Sequence, residues 1–215
     1  MAQIFPKWTN QLPTFLALGA FVFLTGAVGF VWYYFSPEYT DVGYRPKQPV
    51  AYSHKVHAGD LGIDCRYCHT GVENEAHANV PPTRTCMNCH TMVKPESEKL
   101  ALVRESFATD RPLEWVRVHN LPGYAYFDHS AHISAGVGCV SCHGRVDQME
   151  EVTLAEPLSM GWCLSCHRNP DPNLRPLDQV TNMNWEPPAN QLEMAKALRL
   201  EKDINPPTQC SGCHR

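Results

Sequence analysis

Ten cysteines occur in this chain of 215 residues, and all ten fall into five Cys-x-x-Cys-His units. Cys65 and Cys68 close on His69, Cys86 and Cys89 on His90, and Cys139 and Cys142 on His143. Cys163 and Cys166 close on His167, and Cys210 and Cys213 on His214. Two thiols three positions apart can each add to a vinyl group of one porphyrin, while the adjoining imidazole reaches the iron. A disulfide framework does not need that histidine, and zinc knuckles show facing cysteine pairs without it. The spacing therefore predicts five covalently bound haem c groups, with ten thioether cysteines and His69, His90, His143, His167 and His214 as proximal ligands.

A comparison of the chain with itself supplies the other side of the irons. Tyr52-Ser-His54-Lys-Val-His57 precedes the Cys65 and Cys86 units, and Phe127-Asp-His129-Ser-Ala-His132 precedes the Cys139 and Cys163 units. Each copy is aromatic-x-His-x-x-His followed by two units. The four extra histidines, His54, His57, His129 and His132, match four irons and favour bis-histidine ligation. Histidines three apart share a helical face and can serve two different irons. For the fifth iron, His119 in WVRVHNLP is the expected distal ligand, with Met183, Met160 and Met92 as thioether alternatives. His77, in the polar run ENEAHAN, is expected in a solvated loop. Irons filled on both sides suit electron transfer and leave no place for substrate, so no catalytic residue is expected.

Little regular structure should carry these sites. Porphyrin faces must supply most of the apolar interior that side chains provide elsewhere, so the expected fold is mostly irregular with short α-helices. By analogy with structural metals, the chain without haem should be largely unfolded. Helical spacing predicts one helix in Lys94 to Phe107, with Ser97 as a possible cap, and another in Asn190 to Lys202. Trp115 to His119, bracketed by Pro112 and Pro122, reads as extended or irregular. The expected organisation is an N-terminal segment 1–13, a transmembrane helix 14–35, a first dihaem module 36–93 and a helix with linker 94–123. A second dihaem module 124–170 and a C-terminal helix with the fifth haem, 171–215, complete it.

Thr14 to Phe35 is an uncharged run of 22 residues, enough at about 1.5 Å per residue to cross a hydrocarbon core of roughly 30 Å. Trp32, Tyr33, Tyr34 and Phe35 gather where aromatic rings favour the interface. The run exceeds the apolar core of an ordinary signal peptide, so it is expected to stay as an anchor. Lys7 on one side and Arg45 with Lys47 on the other do not set its direction. Covalent haem attachment outside the cytoplasmic membrane does: the N-terminus is expected inside and the haem region on the periplasmic side. A net charge of −4 without any basic run argues against nucleic-acid binding. Arg66, Arg84, Arg145 and Arg168 stand close enough to the units to be candidate partners of haem propionates.

The duplicated modules resemble small bis-histidine cytochromes of the c3 and c7 type. WVRVHNLPGYAYFDHSAH and PLSMGWCLSCHRNP, together with the apolar helix and five units, are similar to the pentahaem subunit of alternative complex III. That resemblance implies quinol oxidation by a complex of polytopic membrane quinol-binding subunits, an iron–sulfur subunit and a monohaem cytochrome c, delivering electrons to a soluble acceptor or an oxidase. It implies a relay that is no enzyme by itself. A competing resemblance is to tetrahaem quinol dehydrogenases that serve nitrite or nitrate reductases. Cys86-Met-Asn-Cys89-His90-Thr-Met92 echoes their first unit, although here it is the second.

Overall fold

An α-helix without one charged side chain, α1 (Leu12–Tyr34, 23 residues), dominates the N-terminal part. Pro13 is tolerated because the first turn has no intrahelical use for its amide. A 3₁₀ turn, Lys7–Gln11, leads into it. Within Lys7–Tyr34 the most apolar 18-residue window has a mean hydropathy of 2.1 and none of it is buried, so this is one helix long and apolar enough to cross a membrane. Its far end is tied by aromatic contacts of Tyr34 with Phe30 and Tyr39, the latter on the short α2 (Pro37–Thr40). The helix starts two residues before the expected segment 14–35 and ends one residue short of it.

The structure, a computed structural model, describes residues 4–214. Residues 1–3 of the expected inward segment and Arg215 lie outside the described residues. The chain divides into two units, Met1–Asp41 and Val42–Arg215.

The second unit is built of short helices: α3 (Cys65–Cys68), α4 (Thr83–His90), α5 (Ala101–Thr109), α6 (His129–Ser134), α7 (Val140–His143), α8 (Met160–Arg168), α9 (Gln191–Glu201) and α10 (Cys210–Cys213). A π-helical turn, Lys55–Asp60, precedes α3. Among the described residues there is no β-strand; two isolated bridges join Ala125 to His214 and Val137 to Leu174. The buried apolar side chains in the described residues are only Val50, Val103, Leu154, Pro170, Leu174, Val180 and Ala195. That interior is too small to offset the backbone entropy of ordering such a chain.

Short helices persist because their ends are bonded. Asp64 accepts from the Arg66 amide at 2.9 Å at the start of α3, Asp128 from Ser130 at 2.9 Å at α6, and Ser159 from Trp162 at 3.3 Å at α8. The helix expected in Lys94 to Phe107 forms later than its sequence pattern suggests, as a 3₁₀ turn Glu98–Leu100 running into α5. Ser97 precedes that turn but its side chain makes no cap bond. Arg104 instead donates to the carbonyls of Pro95 and Ser97, both at 2.8 Å. The C-terminal helix lies within its expected range as α9.

Candidate haem sites

Four of the five units face a histidine from an aromatic-x-His-x-x-His segment. Ring centres are 6.4 Å apart for His54 and His69, 6.2 Å for His57 and His90, 6.5 Å for His129 and His143, and 6.1 Å for His132 and His167. Two imidazoles bound to opposite sides of one metal would stand about 6.2 Å apart, given bonds of about 2.0 Å and a ring radius of about 1.1 Å. All four pairs match that spacing, so the gap between each pair suits one iron.

The other ring nitrogens say which way the imidazoles point. Nδ1 meets a backbone carbonyl in His57 (Ser53, 2.8 Å), His69 (Asn79, 2.7 Å), His90 (Val93, 2.9 Å), His129 (Ala76, 2.8 Å), His132 (Asp128, 2.7 Å), His167 (Pro207, 2.7 Å) and His214 (Tyr124, 3.2 Å). A carbonyl can only accept, so each of these rings carries its proton on Nδ1 and keeps the Nε2 lone pair for a metal. Two histidines break the pattern. His54 Nδ1 is buried without a hydrogen-bond partner, and His143 Nδ1 lies 3.3 Å from His119 Nε2.

Burial favours the neutral form, the one that binds metal, at four of the imidazoles. It lowers His143 to about 3 and His54 to about 4, with neighbouring imidazoles adding to the effect. His119 and His132 are lowered by the same cause. Burial also raises the Cys142 thiol to about 12, so thioether formation there needs the thiol exposed or activated during maturation. Aromatic residues back the distal pairs: Tyr52 lies 4.4 Å from His57 at 24°, and Phe127 lies 4.5 Å from His132 at 29°.

Not every expected residue joins the site assigned to it. His119 packs on His143, with ring centres 4.4 Å apart, and the ring neighbour of His214 is Tyr124 at 5.9 Å. Met183 lines a pocket with Asp64 and Cys65, by the first unit. Met160 and Met92 are 66% and 84% exposed, unlike buried ligands. His77 is exposed, as expected, while the carbonyls around it, of Ala76 and Asn79, hold His129 and His69. Arg66 pairs with Asp64 and Glu73, and Arg145 with Asp147, so two of the four proposed propionate partners already have carboxylates; Arg84 and Arg168 are exposed.

One cation was overlooked in the sequence. Arg175 is 5% exposed, lies over the Trp185 ring at 4.6 Å, and leaves Nε without a partner beside the third unit. A buried cation wants an anion. The haem propionate chemistry fits it, and the glycine at 138, whose missing Cβ makes room for the guanidinium, is the signal that could have flagged it.

Residues 36–121 match the class III cytochrome c family, and residues 125–215 match cytochrome c7 and related cytochromes c. A relative, the multihaem cytochrome c subunit of menaquinone reductase from Nitratidesulfovibrio vulgaris, is 33% identical over 124 residues. The match covers 57% of this chain and 57% of that protein. Paired imidazoles at one-iron spacing, turned by their carbonyl partners, and two adjoining matches to haem c families agree: the chain is a multihaem c-type cytochrome with c3/c7-like domains.

Proposed function

We propose that this chain is a membrane-anchored pentahaem relay in a quinone-linked complex, resembling that of alternative complex III. The ten unit cysteines hold five haems as thioethers, the five unit histidines bind from one side, and His54, His57, His129 and His132 from the other. Modules 36–93 and 124–170 each carry two haems, and 171–215 the fifth. The observation that carries this is the repeated spacing of the histidine pairs, 6.1 to 6.5 Å in all four. Bound haem would supply one-electron chemistry, and the residues present would hold it, with a second histidine facing four of the five units. Helix α1 anchors the chain with its N-terminus inside and the haem unit on the periplasmic side. Polytopic quinol-binding subunits, an iron–sulfur subunit and a monohaem cytochrome c are the partners, and a soluble carrier or oxidase the destination.

The relative's name favours a second reading, in which electrons run through the complex toward menaquinone. The tetrahaem dehydrogenase alternative has less support, since Met92 is exposed and His90 already faces His57. The test is purification in mild detergent from a host that attaches haem c. Five haems by mass and a co-eluting iron–sulfur subunit are expected. Three or fewer haems in matured protein would sink the pentahaem reading. Menaquinol that reduces the isolated complex supports the oxidising direction; reduction of menaquinone by a prereduced complex alone supports the other.

A further inference from the structure

Resting on that pentahaem reading, we infer that the five candidate sites stand in one unbranched file, in the order second, first, third, fourth, fifth. Its two ends, the Cys86 and Cys210 units, are the electron ports. The order departs from the sequence order because the first module runs backwards.

Each junction has its own bonded contact. The second and first sites share one turn, since His57 faces His90 and His54 faces His69. The first and third meet through two adjacent residues: Val180 accepts from the Cys139 amide at 3.1 Å, and Thr181 donates at 2.9 Å to Asp64, the neighbour of Cys65. The Ala76 carbonyl adds a second tie there, accepting from His129 Nδ1 at 2.8 Å. The third and fourth sites share α6, through His129 and His132. The fourth joins the fifth where His167 Nδ1 donates at 2.7 Å to Pro207, which packs against Gly212 inside the last unit.

The thiols retell that order. Cys68 neighbours Cys86, Cys65 neighbours Cys139, Cys142 neighbours Cys163 and Cys166, and Cys163 neighbours Cys213. These are the same four junctions. Exposure marks the ends independently: of the ten cysteines only Cys89 and Cys210 are exposed, one in each terminal site. Met92, beside the second site, is 84% exposed, and Tyr124, beside the fifth, is 66% exposed. A one-electron donor, an iron–sulfur or haem protein, gives up an electron at one end. Each step then oxidises one site and reduces the next, with no bond or atom exchanged, until a one-electron acceptor is reduced at the other end.

The order is testable by light-driven electron injection. A ruthenium polypyridyl photoreductant is attached to Met92→Cys or, separately, to Tyr124→Cys in the full chain. Repeated flashes on dilute protein should reduce all five sites from either label. Removing the third site with Cys139→Ala and Cys142→Ala should leave only the first and second reducible from position 92, and only the fourth and fifth from position 124. Reduction of all four remaining sites from one label would overturn the order. If that variant does not accumulate, a nitroxide at position 92 of the otherwise native chain should broaden haem-methyl NMR signals in the order second, first, third, fourth, fifth. From position 124 the series should reverse, and any other sequence overturns the proposal. Haem mass on the same samples separates the failures: fewer than five haems defeats the pentahaem reading, whereas five haems in another order defeats only the file.

Discussion

The two aromatic-x-His-x-x-His segments set nearly the same geometry with different backbones. Tyr52 lies 4.8 Å from His54 at 86° and 4.4 Å from His57 at 24°; Phe127 lies 4.8 Å from His129 at 90° and 4.5 Å from His132 at 29°. Yet Cys65 follows His57 by eight positions and Cys139 follows His132 by seven. The extra residue is taken up in the π-helical turn Lys55–Asp60, where the second module has the ordinary helix α6. Both segments close on the same bond, from the amide two before the first cysteine to the carbonyl of the second histidine. It runs from Ile63 to His57 in one and from Val137 to His132 in the other, each at 3.0 Å. A one-residue insertion widened a turn and left the histidines in place. Ligand geometry is therefore the invariant, and backbone hydrogen bonding is what yields.

If ligation is what both modules are built around, removing haem should have the largest effect of any change. Protein made without haem attachment should lose most of its helical circular dichroism in unit 42–215 and be cut rapidly by protease throughout that unit. The few buried side chains cannot replace the porphyrin area. A protease-resistant haem-free module, either one, would show that side chains carry more of the fold than the burial suggests.

A smaller effect separates the modules through glycine. Gly62 and Gly136 each stand three residues before the first cysteine of their module, with φ of +66° and +86°. An added Cβ at Gly62 meets nothing within 4 Å, whereas at Gly136 it runs into the Arg175 carbonyl. Gly62→Ala should cost about 1 kcal/mol, from the left-handed backbone alone. Gly136→Ala should cost about 2–4 kcal/mol, since overpacking adds to that strain. Denaturant midpoints of the haem-loaded variants check the difference, and equal costs would mean that the loops before the cysteines are interchangeable.

Deleting Leu61, which is 65% exposed, should convert the first module to the spacing of the second at a cost of about 1 kcal/mol, because an α turn can replace the π turn. Both irons of the module should stay low-spin by electron paramagnetic resonance. A high-spin signal there would show that the extra residue is needed to aim His54 or His57.

Which of these features could be seen in the sequence follows from range. The units and the doubled histidine segments are local patterns whose chemistry depends on spacing, so they were legible residue by residue. The extra residue was visible as eight against seven, but nothing local says whether a loop or a helix absorbs it. Arg66 and Arg145 look like free cations beside the units, yet Asp64 and Asp147, two residues away, already engage them. Ser97 had the right type for a cap but makes no cap bond, and Arg104 reaches back over the turn to its carbonyl, a contact no spacing rule encodes. Arg175 and the carbonyls of Ala76 and Pro207 act across long stretches of chain, and a carbonyl has no side-chain signature at all.

The subtlest difference lies at the first unit of each module. His69 Nδ1 donates to a backbone carbonyl, whereas His143 Nδ1 meets the His119 ring. An acceptor on Nδ1 makes the imidazole a stronger donor to iron and favours the ferric state. Losing it should raise the potential of the third site, by an amount set by one hydrogen bond. At about 0.5–1.5 kcal/mol for a single electron that is about 20–65 mV. His119→Ala should therefore shift one of five potentials upward in a redox titration and create no new high-spin iron, and His119→Gln, whose side-chain oxygen can accept, should restore most of the shift. The sequence had suggested instead that His119 caps the fifth iron. That role predicts a different outcome, a single high-spin iron that binds carbon monoxide in both variants, with the third site's potential unmoved. His77→Ala, at an exposed ring, serves as the control and should change neither spectrum nor potential.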